Sequence, residues 1–128
     1  MKKWIQRVKV VAVLIVTVGL CSTMAWANQY KEATLGQKVA HSDVVLIGQV
    51  VSTSQSDCLA SYSCATIKIV KRLKGGEVSK VAVLFDGPVA EENPLCCKVG
   101  ATYLFFLKHA KTAYYESANG PYGIYQTN

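Results

Sequence analysis

The residues with the most distinctive chemistry are the cysteines, of which the chain has five. Cys21 directly follows an apolar N-terminal stretch, which leaves Cys58, Cys64, Cys96 and Cys97 in the rest of the chain. Four cysteines in a small domain outside the cytoplasm typically form two disulfides, with three possible connectivities. We expect Cys96 and Cys97 to bond across to Cys58 and Cys64. The alternative is a disulfide between the two neighbours, acting as a redox switch.

Other chemically active residues are few and scattered. His41 precedes the first predicted strand and His109 follows the predicted strand at 101–108, and with oxidised cysteines they offer no ligand spacing typical of zinc. Glu91 and Glu92 are adjacent in a loop and would point apart, and no serine stands in a recognisable nucleophile motif. The sequence therefore predicts no metal, no cofactor and no enzymatic activity.

The first 27 residues have the three parts of a secretion signal. A basic start is followed by an apolar stretch at residues 10–20 and by Ala25-Trp26-Ala27, which has small residues at both key positions of a cleavage site. The apolar stretch is too short for a membrane span. We expect cleavage after Ala27 and a secreted or periplasmic location.

Export as a lipoprotein is the alternative to this soluble route. Cys21 would then become the acylated first residue, but bulky Leu20 stands where lipoprotein processing requires a small side chain. Cleavage after Ala27 leaves residues 28–128, which is enough for a single domain with one core.

The charge of this domain is close to neutral. Ten of the fourteen basic residues follow Ala27, against all eight acidic ones, for a net charge of about +2. Such a small excess gives little electrostatic attraction for nucleic acid.

The pattern of apolar residues is mostly that of short strands. Alternation and β-branched residues predict strands at residues 44–51, 62–73, 78–85, 101–108, 113–117 and 122–125. Gly48, inside the first of these, predicts a bulge or bend. Residues 28–39 predict one short helix. The sequence therefore predicts a mainly β domain, either a small barrel or a sandwich.

Three of these segments together resemble a known family. They read SDVVLIGQVV at 42–51, IKIVKRLKG at 67–75 and CKVGATYLFFL at 97–107. The chain resembles a bacterial secreted family similar to the N-terminal domain of tissue inhibitors of metalloproteinases and to netrin modules. The resemblance covers nearly all of residues 28–128. It implies a five-stranded Greek-key barrel of the OB type that binds a protein partner in an inhibitor-like manner.

One departure from that family affects the expected mechanism. The animal inhibitors begin with a cysteine whose amine and carbonyl chelate the protease zinc, whereas the expected first residue here is Asn28. We therefore expect zinc chelation by the terminus to be absent. Any inhibition would come from the disulfide-bonded end of the barrel or from the tyrosine-bearing strands, and would survive a short N-terminal extension.

Four tyrosines, Tyr114, Tyr115, Tyr122 and Tyr125, are candidates for the partner-binding surface, since tyrosine combines a large rigid ring with a polar group. Ordinary cross-strand pairing of aromatic residues is the alternative. The sequence thus predicts a non-enzymatic binding module. A cell-envelope saccharide-binding protein and a structural envelope protein remain as alternatives.

Overall fold

The computed structural model describes residues 30–55, 58–111 and 113–127. The predicted secretion signal, its cleavage site and Cys21 lie outside the described residues. Within the described ranges, no helix has both the length and the apolar character needed to cross a membrane.

Within the described ranges, the chain forms one short helix and six strands, with two single-turn 3-10 helices. In chain order these are α1 (Leu35–His41), β1 (Val44–Ser54), β2 (Ser63–Lys74), β3 (Val81–Phe85), the 3-10 turn Ala90–Glu92, β4 (Thr102–His109), β5 (Tyr115–Ser117), the 3-10 turn Gly120–Tyr122, and β6 (Ile124–Gln126).

Five of the strands close into a barrel. The order is β1-β2-β3-β5-β4, and β4 pairs back with β1. All neighbours are antiparallel except β3 and β5, which pair in parallel through Val83 and Tyr115. The predicted five-stranded OB-type barrel with one short helix is confirmed.

The sixth strand continues the fifth along the same edge of β4. β5 pairs with the second half of β4 and β6 with its first half. Phe106 bridges the break, because its carbonyl accepts from Ala118 N–H at 2.8 Å and its N–H donates to the Gly123 carbonyl at 2.8 Å. Residues 118–123 therefore loop out of an otherwise continuous strand.

The barrel interior is filled by side chains from every one of its strands. The cluster comprises Val44, Leu46, Val50, Ala65, Ile67, Val81, Val83, Phe85, Tyr103, Phe105, Leu107, Tyr115 and Ile124. Burying large aliphatic and aromatic side chains stabilises the fold by about 1.5–3 kcal/mol each.

Gly48 lies at a close approach of β1 to β2. The register between the two strands shifts between Ile47 and Gly48, which confirms the predicted irregularity. A Cβ atom at this position would overlap Ile67 Cγ2 and would lie 3.1 Å from the Lys68 carbonyl oxygen. Only glycine fits without displacing β2.

Helix α1 begins later than predicted. Thr34 forms a capping box: its side chain accepts from Gln37 N–H, and the Gln37 side chain accepts from Thr34 N–H. This cap sets the start of the helix at Leu35, and the helix ends at His41. The predicted range of 28–39 was therefore too early.

Candidate functional site

The longest connection between strands, residues 86–101 between β3 and β4, is fixed at both ends. Near its start, the Asn93 side chain accepts from Gly87 N–H at 2.7 Å and donates to the Gly87 carbonyl at 3.1 Å. Near its end, Gly100 N–H donates to the Val50 carbonyl at 2.8 Å and Val50 N–H to the Ala101 carbonyl at 3.0 Å. We call residues 86–101 the β3–β4 loop.

This well-anchored loop exposes aliphatic side chains. Leu95 is 77% exposed, Val99 55% and Val89 45%. Between them, Cys96 and Cys97 are partly buried against the barrel core. The loop therefore holds large apolar groups in water on a backbone that is bonded to β1 at its end, closed on itself by the Asn93–Gly87 bonds at its start, and packed on the core at the two cysteines.

The cysteines are paired differently from our expectation. Cys58 bonds to Cys64, with Cα atoms 5.9 Å apart, and Cys96 bonds to its neighbour Cys97. The predicted bonds between the two regions were wrong: Cys58, in the loop after β1, bonds to Cys64 at the start of β2, and Cys96 and Cys97 bond to each other within the β3–β4 loop. The Cys58–Cys64 bridge closes a short loop, for which chain entropy gives only about 2 kcal/mol.

The two loops meet without a covalent bridge. The Tyr62 ring, just before β2, lies so close to Gly87 that a Cβ at Gly87 would overlap the ring edge. An aromatic contact therefore joins the loop after β1 to the β3–β4 loop, where the sequence had suggested disulfides.

A cleft of about 150 Å³ lies beside this contact, on the outer face of β3, β4 and β5. It is lined by Tyr30, Tyr62, Leu84, Val89, Glu92, Asn93, Pro94, Lys108, Glu116, Ser117 and Gly120. Leu84 is buried yet lies outside the core cluster to which its neighbours Val83 and Phe85 belong. Strand alternation thus points Leu84 outward, and it forms an apolar part of the cleft wall.

Three charged residues line the cleft. Lys108 and Glu116 are opposite each other on β4 and β5, with Lys108 Nζ 3.4 Å from Glu116 Oε1. Glu92 is exposed and forms no ion pair with a basic side chain of the described ranges. The lining therefore carries one net negative charge.

The segment before the helix, residues 30–34, completes one side of the cleft. The Asn119 side chain accepts from Ala33 N–H at 2.8 Å and donates to the Lys31 carbonyl at 3.1 Å. Next to it, Tyr30 packs on Gly120, where a Cβ would come within 2.9 Å of the ring. The positive φ of Gly120, 50°, also favours glycine.

A second attachment of this segment is the ion pair between Glu32 and Lys38. Lys38 is only 6% exposed; its Nζ donates to Glu32 Oε1 at 3.0 Å and to the Tyr125 hydroxyl, and lies 4.8 Å from the centre of that ring. The hydrogen bond from Lys38 is the main cause that lowers the pKa of Glu32. Burial alone would lower the pKa of Lys38, but the bonds to Tyr125 and Glu32 outweigh it and raise the pKa.

The four candidate tyrosines do not form one surface. Tyr115 is buried in the barrel core, with its ring centre 4.7 Å from that of His109, so it is not available to a partner. Tyr125 binds Glu32, Lys38 and the Tyr122 carbonyl. Tyr114 and Tyr122 are half-buried.

The remaining candidates for chemistry stay apart. His41 ends the helix and His109 ends β4. No group of three or more potential metal ligands occurs within residues 30–55, 58–111 and 113–127. Glu91 and Glu92 share a 3-10 turn, and Glu92 reaches the cleft.

Sequence reasoning missed both the exposed loop and the cleft. Leu95, placed between Pro94 and Cys96 outside any predicted strand, was an available signal for the loop. No sequence signal indicated the cleft, since it brings Tyr30 together with residues as distant in the sequence as Gly120. Comparison with protein-family models, curated proteins and solved structures found no match.

Proposed function

We propose that this chain is an exported, non-enzymatic module that binds a protein partner in an inhibitor-like manner through the β3–β4 loop. The observation that carries the proposal is the 77% exposure of Leu95 on a loop anchored at both ends. Large apolar side chains held in water on an ordered backbone favour association, because little loop entropy is lost on binding.

The export step rests on the sequence of residues 1–27. The two intramolecular disulfides are compatible with an oxidising compartment. N-terminal sequencing of the exported protein tests this step, and the expected result is Asn-Gln-Tyr. A mature chain beginning with acylated Cys21 would overturn it.

The partner class follows from the resemblance to the metalloproteinase-inhibitor domain. The test is inhibition of a panel of purified secreted proteases, covering metallo-, serine and cysteine enzymes, by the purified protein. We expect Leu95→Asp to weaken inhibition of the responsive protease at least tenfold. Val70→Asp is the matched control, since Val70 is 64% exposed on β2. Equal effects of both substitutions, or no protease bound or inhibited, would contradict the proposal.

Saccharide binding is less favoured by the barrel surface. OB-type barrels bind oligosaccharides on the face of their second and third strands. Here the exposed residues of β2 include Lys68, Val70 and Arg72, which provide no aromatic ring for a sugar to stack on. Glycan-array binding by the purified protein, without any protease binding, would reverse this preference.

A further inference from the structure

We propose that the cleft beside the β3–β4 loop binds a cationic side chain, arginine or lysine, of the protein partner. This inference rests on the proposed function in one respect, which is that the partner is a protein. It adds a specific anchor of defined charge to the apolar contact made by Leu95.

The first argument is charge. Lys108 is already paired with Glu116 at 3.4 Å, and Glu92 lacks a basic partner among the described residues. A guest with one positive charge would neutralise the cleft lining. A neutral guest would leave the Glu92 carboxylate unpaired, and an anionic guest would be repelled by it.

The second argument is the shape of the apolar lining. Leu84, Val89 and Pro94 offer aliphatic surface for the methylene stem of a long basic side chain, while the Glu92 carboxylate accepts from its charged end. Tyr30 and Tyr62 also line the cleft, and aromatic rings attract cations. Together these groups match a side chain that is apolar along its length and charged at its tip.

The third argument is that both rings are held in place before a guest arrives. Tyr62 is packed on Gly87 and Tyr30 on Gly120, at distances that leave no space for a Cβ. Asn93, which also lines the cleft, is fixed by its two bonds to Gly87. A cleft with fixed walls loses little conformational entropy when it binds.

The experiment uses the purified protein and three small probes, followed by NMR titration of backbone amides. The probes are N-acetyl-arginine amide, its neutral isostere N-acetyl-citrulline amide, and methyl glucoside. We expect the arginine probe alone to shift the amides of Ser117 and Gly120, with binding weakened by added salt. Equal shifts with citrulline, shifts with the glucoside only, or no shift with any probe would overturn the proposal.

Substitutions test whether negative charge in the cleft favours binding of the arginine probe. Glu92→Gln should weaken arginine binding about two- to fivefold, as for a partly exposed ion pair. Lys108→Gln should strengthen it, because Glu116 is then free to bind the guest. Glu77→Gln, in an exposed position outside the cleft, is the control with the same charge change. Unchanged thermal midpoints confirm folding, and a Lys108→Gln variant that binds more weakly would contradict the proposal.

The outcome is separable from that of the proposed function. Loss of protease inhibition in Leu95→Asp, with arginine-probe binding retained, supports both. Inhibition that depends on Leu95 without any arginine binding would leave the loop as the docking surface and remove the cleft from it.

Discussion

The β3–β4 loop and the second half of β2 both expose aliphatic side chains, but the two regions differ in the charged residues that lie beside those side chains. On β2, Val70 is 64% and Leu73 51% exposed, and basic residues stand among and beside them: Lys68, Lys71, Arg72 and Lys74. The β2–β3 ladder ends at Ile67. Charges along such an open strand edge prevent pairing with other chains.

The exposed leucine of the loop has no charged residue so close to it. Leu95 follows Pro94 and precedes the disulfide, and its nearest charged residues in the sequence are Glu92 and Lys98, three positions away on either side, whereas Leu73 lies between two basic residues. The difference teaches that exposed aliphatic area does not by itself indicate docking. An exposed aliphatic patch can belong to a protected strand edge or to a contact surface. The charges beside the patch and the anchoring of its backbone distinguish the two cases.

The largest effect is expected from a substitution that disrupts the pairing of β1 with β2, because both regions are bonded to β1. Gly48 pairs with Ile69 at the start of the exposed half of β2. Gly48→Val should lower the free energy of unfolding by roughly 3 kcal/mol through overlap with Ile67, measured by urea denaturation. Gly36→Ala is the control: nothing lies within 4 Å, and alanine in a helix should stabilise by roughly 0.5–1 kcal/mol. An unchanged midpoint for Gly48→Val would contradict the close approach.

Removing the bonds that order the β3–β4 loop should lower the free energy of unfolding less than Gly48→Val does. Asn93→Ala removes both bonds to Gly87 and should cost about 1–2 kcal/mol, because the Gly87 groups are partly buried. Hydrogen exchange should speed up in residues 87–95, and protease inhibition should weaken. Gln49→Ala, which removes a single exposed bond to Gly100, is the milder comparison. Unchanged exchange in Asn93→Ala would mean that these bonds do not order the loop.

Removing the charges on β2 should affect association more than stability. Lys68→Thr combined with Lys71→Thr should change the free energy of unfolding by less than about 0.5 kcal/mol, yet promote aggregation that light scattering detects. Lys80→Thr combined with Lys111→Thr removes the same net charge at two other exposed positions. If both pairs aggregate alike, net charge and not the strand edge is responsible.

The smallest expected effect is the pH dependence of the N-terminal attachment. Because the pKa of Glu32 is lowered in the folded state, its bond to Lys38 stabilises the protein above the ordinary glutamate pKa of 4.5. That contribution should fade as pH falls through the lower folded value. The stability difference between the wild type and Glu32→Gln, from thermal melts, should therefore shrink toward acid. A difference that is constant down to strongly acidic pH would contradict this.

Much of the fold could be predicted from sequence because its signals are local. Alternating apolar residues placed every strand to within a few positions, and Gly48 marked the irregularity in β1. The motifs behind the family resemblance also have structural roles. Asp43 accepts from His109 N–H at 2.8 Å, Gly75 and Gly100 have positive φ, and the Tyr103 hydroxyl accepts from Lys98 N–H. These residues specify the barrel and therefore say little about activity.

The site could not be predicted, because it depends on contacts between distant parts of the chain. The disulfide pairing was wrong since an even cysteine count does not determine connectivity. Tyr115 was placed on a surface because tyrosine type does not reveal which face of β5 points inward. Tyr30 and Gly120 meet only when the barrel is complete, and no pattern in the sequence links them.

The parallel pairing of β3 with β5 has a consequence for the timing of folding. β5 is the strand that joins β3 to β4, and it is followed only by β6 near the end of the chain. A growing chain therefore has two open strand edges until residues 115–126 have been made. The Asn119 side chain that holds Lys31 and Ala33 arrives equally late. The order of synthesis thus leaves residues 31–33 without their bonds to Asn119 until that late part of the chain is available.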